Sequence, residues 1–217
     1  MSRPWPRIER TVFLSICFTI ALLAFRFIHF KEVQFAFYIW NFFLAVVPLF
    51  VSRILRRFKK LNVASLFLLI GWLLFLPNAP YIITDIFHFY QRPPVPYWYD
   101  LLLVTSAAWN GLIIRIVSLL QVEEFLRKCF SSVVVNLIMA TSIISCAFGI
   151  YLGRFMRFNS WDILTKPVAL FRHIAANIVY PQHHVRTWAF TILFSALLWL
   201  VYRTIKMLSV LTTGPTG

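Results

Sequence analysis

Apolar and polar residues fall along this chain in long blocks, without the short period of a surface helix or strand. Predominantly apolar runs cover roughly 11–30, 34–52, 61–78, 101–120, 131–152 and 187–205. About twenty residues rising 1.5 Å each match the ~30 Å hydrocarbon thickness of a bilayer, so each run predicts a membrane-crossing helix. A strand would leave backbone N–H and C=O groups unpaired in lipid. The pattern therefore predicts an all-α polytopic membrane protein with about six transmembrane helices. No repeat or linker divides the blocks, so 1–217 reads as a single transmembrane domain.

Two stretches break the block pattern. In "FLPNAPYIITDIFHFY", residues 75–90, Pro77 lacks an amide hydrogen and should end the third helix, while Pro80 suits the first turn of a new one with Asn78 as its cap. The expectation is a broken helix at a bilayer rim, with Tyr81, Asp85 and His88 spaced i, i+4 and i+7 on one face. Between the fifth and sixth runs, "PVALFRHIAANIVY" places Phe171, Ile174, Ala175, Ile178 and Val179 at helical spacing but is too short to cross. An interfacial amphipathic helix is expected there.

Composition sharpens the class. The 217 residues are 60% hydrophobic and 13% charged, and the mean hydropathy of +0.78 excludes an ordinary soluble domain. The net charge of +14 raises nucleic acid as a partner. The basic residues lie between apolar blocks, however, and form no single cationic face, which points to membrane lipids and against nucleic acid. Short loops holding Arg3, Arg7, Arg10, the cluster "RILRRFKK", Arg127, Lys128, Arg203 and Lys206 outweigh those holding Lys31, Arg92, Arg154, Arg157, Lys166, Arg172 and Arg186. Both termini are therefore expected in the cytoplasm. The loops after the third and fifth runs are separated by two crossings and share a side in either orientation; here that side is extracytoplasmic. Tyr97, Trp98, Tyr99 and Trp188 fit an aromatic belt at the same face.

The amino-terminal stretch has a basic region and an apolar region but no A-x-A-like cleavage site, and reads as a retained signal anchor. Cys17 and Cys146 fall inside apolar runs and are expected as buried small hydrophobes, without a disulfide framework. Arg26 and Arg115 lie near run ends, where both can snorkel, and Asp100 is expected to cap the fourth helix. Asn41, Asn110 and Asn136 are expected to hydrogen-bond between helices.

A second polar constellation lies in "GIYLGRFMRFNSWDILTKP", residues 149–167. Gly149 and Gly153 form a small-xxx-small step, and the helix then ends in Arg154 and Arg157, one turn apart. Asn159 is placed to cap a short helix, with Asp162 completing a capping box. Two arginines beside a helix amino-terminus make an anion-binding arrangement with Asn78, Asn159, Ser160 and Asp162. Plainer readings stand beside it: lipid-phosphate anchoring for the arginines, capping for Asp162, a structural salt bridge for Asp85 and an interfacial position for His88. Asp85, His88, His183 and His184 match no zinc spacing, and no Walker A loop, G-x-S-x-G elbow or dinucleotide fingerprint occurs. Neither metal nor cofactor is assigned.

"LPNAPYIITDIFHF" together with "GIYLGRFMRFNSWDIL" resembles the bacterial membrane-protein family termed domain of unknown function 1361, whose members carry P-N-A-P-Y-x-x-T-D and G-R-F-x-R-x-N-S-W-D segments. The resemblance implies a bacterial cytoplasmic-membrane location. It singles out Asn78, Pro80, Tyr81, Asp85, His88, Arg154, Arg157, Asn159, Ser160, Trp161 and Asp162, and implies no chemistry. Three functions remain open. One is an extracytoplasmic site that binds or modifies an anionic lipid or lipid-linked headgroup, with Asp85 and His88 as acid and base. The others are an accessory subunit paired with a membrane protein or with another copy of itself, and a small transporter, which the lack of an inverted repeat disfavours.

Overall fold

The computed structural model describes residues 5–31, 33–90 and 93–211, without the side chains of His88 and of residues 209–211. Arg3 and Arg92 of the charge pattern lie outside the described residues. Nine α-helices and two 3-10 turns are described, with no strand among them: α1 (Trp5–Phe30), α2 (Phe37–Leu55), α3 (Val63–Phe75), α4 (Asn78–Tyr81), a 3-10 turn (Ile82–His88), α5 (Tyr97–Leu126), α6 (Ser132–Met156), α7 (Asp162–Thr165), α8 (Pro167–Val179), a second 3-10 turn (Pro181–His183) and α9 (Val185–Leu211). Six segments are long and apolar enough to cross a membrane, and the third of them, Val63–Phe87, is a composite of α3, α4 and the first 3-10 turn. The protein is an all-α polytopic membrane protein.

α5 is the axis. Of its most apolar stretch 61% is buried, against 22% for α1 and for α9, so the other spans surround it. It begins before residue 101 and continues past 120, because the charged residues near its ends find partners inside the bundle and the helix need not stop at them. Asp100 sits in its first turn rather than capping it, and it takes both Arg26 Nε at 2.8 Å and Arg26 Nη2 at 3.2 Å on its carboxylate. Arg26 does not snorkel: it is fully buried in α1, with its guanidinium 4.9 Å from the Phe35 ring centroid. Arg115 does not snorkel either. It is buried in α5 beside the Cys146 thiol and donates from Nη1 to the Leu198 carbonyl at 3.3 Å.

Polar residues along α5 continue the pattern toward the end that holds the termini. Asn110 donates to Thr19 Oγ1 at 2.8 Å and to the Ser15 carbonyl at 3.1 Å, the interhelical bonding expected of it. Ser118 takes the Trp72 indole N–H at 2.8 Å, and Gln121 bridges Ser52 and Glu9 at 2.9 and 2.8 Å. Glu123 accepts from Arg127, from the Tyr202 hydroxyl and from Lys206. Asn136, by contrast, is exposed near the start of α6, and Cys17 is exposed on α1, where its thiol faces outward from the bundle; Cys146 is buried as expected.

The broken helix is seated by glycines. A β-carbon at Gly111 of α5 would collide with the Ala79 carbonyl oxygen, and one at Gly149 of α6 would lie 2.6 Å from Pro77 Cγ. At Gly153 it would meet the Tyr81 ring at 3.3 Å. The small-xxx-small step of α6 thus receives residues 77–81, and Gly111 receives the opposite side of the same segment.

The buried pair sets a test for this framework. Asp100→Ala leaves an uncompensated guanidinium in the interior and is expected to cost about 3–5 kcal/mol of unfolding free energy in mixed micelles. Arg26→Met combined with Asp100→Leu is expected to recover most of that loss. A single-variant loss below ~1 kcal/mol would show the pair to be solvated.

Candidate functional site

Pro77 and Pro80 cannot donate, so the chain around them leaves carbonyls without helical partners, a costly state in a membrane. Side chains supply the missing donors. Asn78 Nδ2 donates to the Phe75 carbonyl and to Ser160 Oγ, each at 2.9 Å, and Ser160 Oγ donates onward to the Leu74 carbonyl at 3.0 Å. Asn78 therefore closes the end of α3 rather than capping α4, whose amino-terminal neighbour is Pro77 with no side-chain cap. One step later the chain tightens into the 3-10 turn, with Thr84 Oγ1 donating to the Tyr81 carbonyl at 2.6 Å.

Arg154, in the last turn of α6, meets this turn. Its Nε donates to Thr84 Oγ1 at 2.8 Å, its Nη2 pairs closely with Asp85 Oδ1, and its guanidinium lies 4.4 Å from the Tyr81 ring centroid. The second Asp85 oxygen accepts from Asn41 Nδ2 of α2 at 3.2 Å. The Asp85 and Arg154 side chains are 3% and 10% exposed, so this is a buried charge pair. Three elements, α2, the broken helix and α6, converge on it.

α6 ends at Arg157, whose φ of 59° is left-handed and whose backbone N–H, with that of Phe158, returns to the Leu152 carbonyl. Such a φ favours glycine, and an arginine there carries a strain of roughly 1–2 kcal/mol. The Arg157 side chain is exposed. Asn159 does not cap α7, which starts at Asp162; the reverse half of the capping box forms instead. Asp162 Oδ2 accepts from the Asn159 backbone N–H and its Oδ1 from the Thr165 hydroxyl, both at 2.8 Å. Those two bonds, the backbone one first, hold the Asp162 carboxyl below the usual carboxylate range.

Beside the charge pair lies a cavity of about 360 Å³ between α2, the broken helix, α6 and the 158–174 segment. Its polar lining comes from Asn41, Asn78, Tyr81, Ser145, Asn159 and Ser160. Trp40, Phe148 and, from α8, Phe171 and Ile174 supply apolar wall. Asn41 and Tyr81 belong to both features: each lines the cavity and touches the charge pair.

The residues singled out by sequence are thus distributed as follows. Asn78, Tyr81, Asp85, Arg154 and Ser160 gather at one end of the bundle, and Asn159 joins them through the cavity. Arg157 lies outside that network and Asp162 is spent within its own loop. His88 closes the 3-10 turn, with its side chain outside the described residues. Pro80 is buried in α4, and the Trp161 ring stands edge-on to Trp40 at 6.2 Å. Asn41 makes the interhelical hydrogen bond expected of it, but its partner, Asp85, and its place in the cavity lining are not given by the linear pattern. Tyr38, one turn earlier, is fully buried, and its hydroxyl has no hydrogen-bond partner among the described residues. No cluster of His, Cys, Asp and Glu able to hold a metal occurs among the described residues.

A family model described as protein of unknown function, DUF1361, matches residues 40–201. The match includes both polar constellations and Asn41. No curated protein and no solved structure shows significant similarity to the chain.

Two measurements follow from this geometry. In a double-mutant cycle, Asp85→Asn and Arg154→Met are expected to be coupled by about 1.5–3 kcal/mol in unfolding free energy, as for other groups sharing one buried network. Asp162 has a folded pKa below its unfolded one. Its contribution to the 159–165 loop is therefore fully present above about pH 4 and is lost as the pH falls through the depressed value. Trp161 emission should stay constant from neutral pH down to about 4 and shift below it, whereas Asp162→Ala should give the shifted emission at every pH.

Proposed function

The chain belongs to the DUF1361 family, and on its own residues we propose that it is a membrane-embedded binding protein for a lipid or lipid-linked molecule. One observation carries the reading: a cavity with both polar and apolar walls lies at a broken transmembrane helix, against a buried charge pair. An amphiphile satisfies both kinds of wall at once, with its headgroup among the asparagines and its chain along Trp40, Phe148 and α8. Ligand sites at discontinuous transmembrane helices follow from the same need, since irregular backbone at membrane depth is tolerated where it lines a cavity.

In this reading the site opens on the extracytoplasmic face, with both termini in the cytoplasm, because the basic loops flank the opposite bundle end. The setting is a bacterial cytoplasmic membrane. Asp85 and Arg154 stand behind the site, outside its lining, and position Asn41 and Tyr81. Arg157 is the cation available to an anionic group at the rim, and an arginine kept at a left-handed position where glycine is cheaper supports a role for its side chain. Acid–base work by Asp85 and His88 would require Asp85 to exchange Arg154 for substrate, so binding is the more economical assignment. The second reading, an accessory subunit, is favoured by the bonding of both Asp85 and Arg154 to groups within the chain.

Native mass spectrometry of the full chain extracted in polymer nanodiscs separates the two. The unmodified protein is expected to retain one amphiphile-sized adduct, Arg157→Gln to retain about tenfold less of an anionic one, and cavity-filling Ser145→Leu to retain none at equal abundance. An identical lipid complement in all three would sink the binding proposal. Loss of the protein from the membrane in Asp85→Asn, with the adduct unaffected by Ser145→Leu, would favour the scaffold.

A further inference from the structure

The direction of hydrogen bonds around the cavity limits what it can hold. Asn78 commits both amide hydrogens, to the Phe75 carbonyl and to Ser160 Oγ. Asn41 turns its amide nitrogen to the Asp85 carboxylate, and Asn159 directs its backbone N–H at the Asp162 carboxylate. A carboxylate or a backbone carbonyl accepts and cannot donate, so neither the Asn41 nor the Asn78 side-chain amide can be flipped without setting oxygen against oxygen. Asn41 and Asn78 therefore each have a carbonyl oxygen to offer an occupant, Asn41 keeps its second amide hydrogen, and the hydroxyls of Tyr81 and Ser145 with the Asn159 side-chain amide complete the polar lining. Ser160 has its hydroxyl hydrogen on the Leu74 carbonyl and already accepts from Asn78. Neither Arg154 nor Arg157 lines the cavity, and neither do Asp85 and Asp162.

Resting on the amphiphile reading, we infer that the cavity selects an uncharged, hydroxyl-rich headgroup, a sugar or polyol, whose O–H groups donate to the carbonyl oxygens of Asn41 and Asn78 and pair, as donors or acceptors, with the Asn159 amide and the Tyr81 and Ser145 hydroxyls. A phosphate or carboxylate would bring a full charge into a lining that holds no cationic side chain, a burial without charge compensation that costs more than it returns. A quaternary ammonium has no O–H or N–H to give. A polyol can make several donations while its ring or carbon face lies on the apolar wall. The anionic specificity that two arginines suggest in the sequence is thereby moved out of the cavity, to Arg157 at most.

The test uses the full chain in phosphatidylcholine nanodiscs, with decyl β-glucoside, decyl phosphate, decyltrimethylammonium and free glucose as probes and with Trp40 emission as readout. Decyl β-glucoside is expected to bind saturably, at least about tenfold more tightly than the two charged decyl probes, and Asn41→Leu or Asn159→Ala to weaken it about tenfold each. Selectivity is measured on the unmodified chain, so it decides even where a variant fails to fold. Tighter binding of decyl phosphate, or glucoside binding indifferent to Asn159→Ala in folded protein, overturns the inference and leaves the amphiphile reading standing. Free glucose binding as tightly as decyl glucoside keeps the hydroxyl chemistry and overturns the amphiphile. No saturable binding by any probe overturns both.

Discussion

The pairing of Asp85 with Arg154 is the interaction on which this end of the molecule depends. Taking either charge out of water alone costs several kcal/mol, so neither residue can sit where it does without the other. Once the pair is made, the 3-10 turn is fixed to the last turn of α6, and the segment between the prolines must lie in the space between α5 and α6. Only backbone without side chains leaves room for it there, which is why Gly111, Gly149 and Gly153 face it. The freed carbonyls of Leu74 and Phe75 then require donors from outside the helix, and Asn78 and Ser160 provide them. The cavity is the remainder of this construction: a helix that stops short, tied sideways, leaves volume beside it.

The same physics divides the bundle into two ends of different character. Toward the termini, Gln121 links Ser52 to Glu9, and Glu123 binds Arg127, Tyr202 and Lys206, so polar groups there act as ties between helices. At the other end, Arg26 with Asp100 is a tie of that kind, while Asn41, Tyr81 and Asn78 are shared between a tie and an open space. A polar residue bonded on one side and facing a void on the other is placed to sense what fills the void. That double position distinguishes the candidate site from the rest of the polar interior.

Much of this was legible in the sequence. Run length against bilayer thickness gave the six crossings, Pro77 gave the break, and parity put residues 78–88 and 154–162 at one rim. Partnership was not legible. Arg26, Arg115 and Asp100 all lie within reach of run ends, where snorkelling or capping would satisfy each locally, and nothing in the linear pattern says that Arg26 and Asp100 satisfy each other. Pro80 in the first turn of a new helix makes Asn78 look like an amino-terminal cap; which end an asparagine serves depends on where the carbonyls point. Asn41 gains its meaning only from the acceptor opposite it, and the direction of that bond is a property of the fold.

Sidedness tests the central claim most directly. In the full chain with its three native cysteines replaced, Phe87→Cys, Leu164→Cys and Lys59→Cys each place a thiol at an exposed position, the first two at sites that are 66% and 83% exposed. A membrane-impermeant maleimide applied to sealed vesicles should label positions 87 and 164 from the same side and position 59 from the other. Labelling of 87 and 164 from opposite sides would contradict the account, because Asp85 and Arg154 could not then meet.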